Sequence, residues 1–367
     1  MKENYKIGII GATGMVGQRF ITLLHDHPWY TIEVLAASPR SAGKTYAEAV
    51  GSKWALTESI PESVKNMVVM NATEDVEKIA GMVDFVFCAV DMKKDEIKAL
   101  EERYAKAECP VVSNNSAHRH TEDVPMIIPE INPEHIEIIA SQRERLGTKR
   151  GFVAVKSNCS LQSYLPAMAV VNMKYPIDHA LVTTYQAISG AGKTFETWPE
   201  MVDNLIPYIG GEEVKSEVEP NKVLGKIEGD EIVPSNELQI ECQTYRVPVS
   251  DGHTAAIFFS FKDSENKPSV EEIEKLWADF SGEPQKLELP HAPKQFIHVY
   301  TEKDQPDQPQ IKTAREVDGG MAISCGRLRD SIQYDYKMVS MSHNTLRGAA
   351  GGAVLLAELL TKKGYMD

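Results

Sequence analysis

The chain has 367 residues, 42% hydrophobic and 25% charged, an ordinary globular composition long enough for two domains at about 150 residues each. Acidic residues outnumber basic ones 53 to 39, and the net charge of −14 argues against a nucleic-acid partner, which needs a basic face. No apolar run approaches the ~20 residues of a membrane span, the five cysteines form neither a C-x-x-C pair nor a closed disulfide set, and the N-terminus lacks a signal-peptide layout, so a reducing cytoplasm is expected.

In chain order, the apolar run Tyr5–Ile10 leads into Gly11-Ala-Thr-Gly14-Met-Val-Gly17, after which Val16, Phe20, Ile21 and Leu24 recur at helical spacing. Thr31–Ala37 reads as a second strand, and Met67–Asn71 and Val83–Val90 as two more. Asp95–Ala107 is helical, and the short strand Val111–Ser113 ends in Asn114, Asn115 and Ser116. This β-α-β rhythm predicts a parallel, doubly wound sheet over residues 1–155.

From residue 156 the texture changes. Longer strands, read as antiparallel, are expected at Ala180–Ala187, Glu241–Val249, Ala255–Lys262 and Phe296–Tyr300. Helices are expected at Leu161–Met173, kinked by Pro166, and at Val270–Phe280. The block 156–341 is therefore an α+β unit, a mostly antiparallel sheet with helices on one face. Asp304–Gln310 is a polar, Pro-containing loop, and Asn344–Lys363 is an Ala- and Leu-rich helix. Residues 342–367 are expected to complete the first unit.

A strand, a glycine-rich turn and a helix in succession form a phosphate cradle. Glycine lets the backbone approach a pyrophosphate, and the helix start offers free N–H groups and a positive dipole end. Gly11, Thr13, Gly14, Met15, Val16 and Gly17 make this segment, with the variant spacing G-x-x-G-x-x-G. An NAD site places a carboxylate about 20 residues on, against the ribose. The second strand instead ends in Ala-Ala-Ser38-Pro-Arg40-Ser41. A guanidinium and two hydroxyls there suit a 2′-phosphate, so NADP is the expected cofactor.

Ser157-Asn158-Cys159-Ser160 opens the predicted helix at Leu161. Ser157 or Asn158 would cap it, and the dipole would favour a Cys159 thiolate in a cleft, a nucleophile in search of a base. The other four cysteines read as small buried hydrophobes. Of ten histidines, His253 follows Gly252 at a strand end and can project into a cleft. His118 and His120 lack a third residue at ligand spacing, so no metal site is expected.

These motifs, together with Tyr185-Gln-Ala-Ile-Ser189-Gly190-Ala-Gly192, Arg246-Val-Pro-Val, Ser113-Asn-Asn-Ser-Ala-His-Arg119 and Ser342-His-Asn344-Thr-Leu-Arg-Gly-Ala-Ala-Gly-Gly352, resemble aspartate-semialdehyde dehydrogenases of the archaeal and fungal branch. The likeness spans nearly the whole chain. It implies a Rossmann-like first unit, a catalytic and oligomerisation unit, and a cytoplasmic homodimer or homotetramer. It implies NADPH-dependent reductive dephosphorylation of L-4-aspartyl phosphate to aspartate semialdehyde and phosphate, on the route to lysine, threonine and methionine. Cys159 would form the acyl thioester, His253 would serve as acid/base and Gln186 would orient the acyl group. Arg246 would grip the α-carboxylate and Arg119 the phosphate. Asn158, Glu212 and Lys215 would complete the substrate set, with Glu213 an alternative to Glu212. Glu212 or Glu241 would take the α-ammonium. Ser189, Gly190 and Asn344 would lie at the nicotinamide.

Two enzymes built on the same scaffold remain as alternatives: a malonyl-CoA-type reductase and an N-acetyl-glutamyl-phosphate reductase. A non-catalytic NADP sensor would keep the cradle and Arg40 but need neither Cys159 nor His253.

Overall fold

The structure is a computed structural model and describes residues 2–302 and 308–367; most of the predicted loop Asp304–Gln310 lies outside the described residues. Seven strands build the first sheet: β1 (Tyr5–Ile10), β2 (Tyr30–Ala37), β3 (Met70–Asn71), β4 (Phe85–Cys88), β5 (Val111–Ser113), β6 (Met126–Ile127) and β7 (Val153–Lys156). Their order is β3-β2-β1-β4-β5-β7-β6 and every pairing is parallel. Ile7, Ile9, Ile10, Phe85, Val86 and Phe87 are all fully buried, as strands covered on both faces require.

The next two strands are β8 (Ile177–Gln186) and β9 (Ile206–Pro207), followed by the separate hairpin β10 (Lys226–Glu228) and β11 (Glu231–Val233). Then come β12 (Gln239–Arg246), β13 (His253–Phe261), β14 (Ile297–Tyr300), β15 (Ile323–Asp330) and β16 (Tyr336–Ser342). The second sheet has the order β14-β15-β16-β13-β8-β12-β9. It is antiparallel except at β8–β12 and β14–β15. The expectation of antiparallel pairing therefore fails where β12 meets β8 and at β14. The chain between β8 and β12 includes a long helix that returns it to the same edge of the sheet, which forces a parallel pair.

The helices that matter for the site are α1 (Met15–Leu24), α2 (Lys94–Lys106), α3 (Leu165–Asn172), α4 (Glu212–Val223), α5 (Val270–Asp279) and α6 (Ala350–Lys362). Helix α1 buries Phe20, Ile21 and Leu24 at the predicted spacing. Helix α6 is buried from Ala350 to Thr361 and shares a core with β1, β2 and α1, so the C-terminal segment returns to the first sheet. Arg347, just before α6, is fully buried and forks onto Glu130 at 2.7 and 2.5 Å, while its Nε donates to Gln162. This clasp fixes the segment that closes over the site. Losing one partner of such a buried pair costs about 3–5 kcal/mol.

The predicted helix Leu161–Met173 divides. A 3-10 turn covers Leu161–Ser163, Tyr164 breaks it at φ −140°, and α3 starts at Leu165. Pro166 then sits in the first turn of α3, where its missing N–H has no helical partner to lose, so it starts the helix and does not kink it.

Candidate active site

Because the first sheet is parallel, the carboxyl ends of its strands share one edge. The glycine segment follows β1, Ser38–Ser41 follow β2, Asn114 and Asn115 follow β5, and Ser157-Asn158-Cys159 follow β7. A cavity of about 280 Å³ opens there, lined by Val16, Asn114, Arg119, Lys156, Asn158, Cys159, Ser189, Gly190, Glu212, Lys215 and Asn344 among others. Ser189 and Thr345 also line an adjoining cavity of about 420 Å³ that includes Met15 and Arg19.

The cradle is built from close approach. Gly11 has φ +92°, and a Cβ there would lie 2.3 Å from the Ala89 carbonyl oxygen, so only glycine fits. Helix α1 has no side-chain cap on its first N–H groups and no acid in its first turn. The Asn114 Oδ1 is buried without a partner among the described residues, and Asn114 faces the same cavity. Ser38 and Arg40 are exposed, Ser41 is half-exposed, and Arg40 pairs with no carboxylate among the described residues. Open donors, a side-chain-free turn and a free guanidinium fit a dinucleotide carrying an extra phosphate.

The opposite wall is dense with paired groups. Cys159 Sγ lies 3.5 Å from His253 Nε2, while the Ala187 N–H donates to His253 Nδ1 at 3.1 Å. That second bond places the ring proton on Nε2, facing the sulfur. A Cβ on Gly190 would lie 2.9 Å from Arg246 Nη1 and 3.2 Å from His253 Nε2, so the bare backbone of this turn roofs both side chains. The Asn344 amide ties Gly252 to Ser189, accepting from the former at 2.7 Å and donating to the latter at 2.9 Å. Arg246 is buried, donates to the Ala187 carbonyl at 2.6 Å and is the register partner of Gln186. Gln186 is buried beside it and donates to Thr184 at 3.2 Å.

Helix α4 supplies the other charges. Glu212 accepts from Lys215 at 2.6 Å and from the Asn158 amide at 3.2 and 3.0 Å. Glu213 turns away and accepts the Thr244 N–H of β12, so of the two adjacent acids it is Glu212 that lines the cavity. Two turns on, Glu219 binds Arg119 at 3.0 Å and the Asn158 N–H at 2.9 Å. Glu241 is exposed: Cys242, Thr244 and Arg246 point inward along β12, so strand alternation puts Glu241 on the other face, away from the site.

Burial governs the proton affinities here. It pushes the Cys159 thiol up, and Glu212 adds to that; Lys156, Arg119 and Arg246 pull it down. The expectation of a dipole-favoured thiolate is corrected, because no α-helix starts at Cys159. Instead, Asn158 Oδ1 accepts the Ser160 N–H at 2.7 Å and opens only the 3-10 turn. Burial and the Arg246 charge push His253 down to about 3, so its ring is neutral near pH 7. Burial lowers Lys156 to about 7, with the Arg119 charge contributing, while a charged Cys159 and Glu219 work the other way and hold the Lys156 proton on.

Lys156, Glu219, Asn114 and Asn115 were not expected at the site. Glu219 had a signal, since Glu212, Ser216 and Glu219 share one helical face. Elsewhere, His27, His291 and Glu358 converge, with both rings 2.8 and 2.6 Å from one carboxylate oxygen. The Trp29 N–H occupies His27 Nδ1, so Nε2 holds its proton toward Glu358 and the triad is a hydrogen-bonded clasp.

Comparison with known proteins fits this geometry. Residues 6–139 match the family described as semialdehyde dehydrogenase, NAD binding domain, and residues 169–347 the semialdehyde dehydrogenase dimerisation domain. The chain is 41% identical to the aspartate-semialdehyde dehydrogenase of Candida albicans over 98% of this chain and 99% of the relative. It is 39% identical to that of Methanothermobacter thermautotrophicus, over 97% and 99%. The chain belongs to the aspartate-semialdehyde dehydrogenase family. The solved structure of the Candida albicans enzyme with NADP superposes with a TM-score of 0.87 at 38% identity, covering 99% of both chains. A Vibrio cholerae enzyme solved with ASA shares the fold, with a TM-score of 0.73 at 24% identity over 99% of this chain and 100% of that one.

Proposed function

We propose that this protein is an NADP-dependent aspartate-semialdehyde dehydrogenase, reducing L-4-aspartyl phosphate to the semialdehyde with release of phosphate. The observation that carries this reading is a cysteine in contact with a neutral histidine at the wall of a cavity that the start of α1 reaches through Val16.

An acyl phosphate is already activated, so the nucleophile needs position more than force. Cys159 attacks the acyl carbon as its thiolate, the C–O bond to phosphate breaks with its electron pair leaving on phosphate, and an acyl thioester remains. NADPH, when bound, supplies the hydride that reduces this thioester. His253 donates from Nε2 to the oxygen that becomes anionic at each tetrahedral stage and is restored as the carbonyl re-forms. The C–S bond then breaks, and the sulfur leaves with its electron pair. Arg119, held by Glu219, faces the phosphate. Arg246 holds the α-carboxylate, and Gln186 beside it orients the acyl group. Glu212 takes the α-ammonium, a partner that neither an acyl-CoA nor an N-acylated substrate would need. Ser38, Arg40 and Ser41 hold the 2′-phosphate.

Residues 1–155 with 342–367 serve as the cofactor unit, and 156–341 as the catalytic and oligomerisation unit. The open face of the second sheet, with Leu181, Tyr185 and Phe258, supports a homodimer or a homotetramer of such dimers, which light scattering distinguishes. All five cysteines are free and no described helix is long and apolar enough to cross a membrane, which supports a cytoplasmic location.

The assay runs in reverse: aspartate semialdehyde, NADP and phosphate, followed by NADPH absorbance. Turnover that requires phosphate supports the proposal, and turnover that requires CoA instead sinks it.

A further inference from the structure

Lys156 is the last residue of β7 and is fully buried, with its ammonium donating to the Ser157 and Gly348 carbonyls. Carbonyl dipoles satisfy N–H groups, but they do not neutralise a charge. Among the described residues no carboxylate lies within ion-pair distance of Lys156, whereas Arg119 has Glu219 and Lys215 has Glu212. A buried cation without a counter-ion is costly, and such costs concentrate where chemistry uses them. Lys156 and Cys159 line the same cavity.

Resting on the reading of Cys159 as nucleophile, we infer that Lys156, and not His253, is the cation that stabilises the Cys159 thiolate. In many thiol enzymes an imidazolium does this. Here the ring is fully buried, its Nδ1 is occupied by the Ala187 N–H, and Arg246 lies close enough to share contact with Gly190. A second positive charge on that ring would have to displace a hydrogen bond and face a guanidinium. His253 therefore offers the sulfur a neutral N–H, and the compensating charge comes from elsewhere.

The charged groups around the sulfur sort by element. From β7 comes Lys156, from the loop after β5 Arg119, from β12 Arg246, and from α4 Glu212, Lys215 and Glu219. Arg119, Glu219, Lys215 and Glu212 are paired with one another. Among the described residues Arg246 has a carbonyl partner and no carboxylate, but it is reserved for the substrate carboxylate. That leaves Lys156 as the positive charge that substrate binding does not consume. The tie to Gly348 also links the thiolate's partner to the segment leading into α6, which the Arg347–Glu130 clasp holds in place. Lys156 is thus a positioning residue that acts through the sulfur, not a group that touches substrate.

The test is the pH dependence of iodoacetamide alkylation of full-length protein, with the labelled peptide identified by mass spectrometry. Lys156→Met is expected to raise the apparent pKa of Cys159 by about one pH unit or more, the effect of removing a nearby opposite charge. Alkylation below that pH then slows about tenfold. Because Met leaves two carbonyls without donors, Lys156→Gln is measured in parallel: it keeps a donor and loses the charge, and it should give the same shift. Lys156→Arg should restore the wild-type profile. His253→Asn should leave the apparent pKa within about 0.3 of wild type. A purely structural strut would alter stability without moving the thiol profile. An unchanged profile in Lys156→Gln, or a rise of a full pH unit in His253→Asn, overturns the inference. Label on cysteines other than 159, with Cys159→Ser still active, overturns instead the assignment of the nucleophile.

Discussion

The two walls of the cleft work differently. The cofactor wall is open backbone: a glycine turn, uncapped N–H groups at α1 and an exposed Arg40. The catalytic wall is saturated side chain: Glu212 with Lys215 and Asn158, Glu219 with Arg119 and Asn158, His253 with Cys159 and Ala187. The first recognises a ligand by leaving room for it. The second holds reacting atoms by leaving almost no freedom. Damage to the groups of the catalytic wall that meet the reacting atoms should therefore appear in kcat, damage to its substrate-holding charges in the KM for aspartate semialdehyde, and damage to the cofactor wall in the KM for NADP.

Substitutions test that division. Cys159→Ser should lower kcat by 10⁴-fold or more, roughly the loss expected when a covalent nucleophile is removed. His253→Asn should cost about 10²–10⁴-fold in kcat with little change in KM, the usual share of acid/base assistance; a purely KM effect would move His253 to binding. Arg246→Lys should raise the KM for aspartate semialdehyde about 10- to 100-fold, because an ammonium cannot fork onto a carboxylate. Arg40→Ala should raise the KM for NADP about tenfold and leave kcat unchanged, which steady-state kinetics with both cofactors would show. A loss in kcat there would erase the distinction between the walls.

The smallest effect has two signs. Glu212 raises the proton affinity of Cys159, so Glu212→Gln removes a negative charge, lowers the thiol pKa and increases thiolate at neutral pH. Alkylation of Cys159 should speed up several-fold while the KM for the amino-acid substrate rises. If both worsen together, Glu212 supports the fold of the wall and not its charge balance.

The same contrast explains what the sequence revealed. The cofactor wall is local: strand, glycines and helix follow one another within residues 5–24, and periodicity alone located β1 and α1. The catalytic wall gathers Arg119, Lys156, Glu212, Arg246, His253 and Asn344 from far-separated segments. No spacing rule unites them: the roles of Arg119, Glu212, Arg246 and Asn344 came from family resemblance, His253 stood out only by its place after Gly252, and Lys156 emerged from the structure alone. Glu241 went astray because a composition argument cannot tell the two faces of β12 apart until its register is known. Strand β15 escaped notice because Gly326, Arg327 and Arg329 interrupt the apolar pattern, and β15 shifts register there. Lys156 carried a readable signal, a lysine ending the buried run Val153–Val155, but lysines at strand ends are ordinarily solvated.

The central claim is that the sulfur of residue 159 carries the acyl group. The direct measurement is intact and peptide mass spectrometry after mixing the enzyme with aspartate semialdehyde and NADP, phosphate omitted. The account predicts one aspartyl group on Cys159, formed with one equivalent of NADPH and discharged when phosphate is added. NADPH formation with no adduct on Cys159, or an adduct that phosphate does not release, would contradict it.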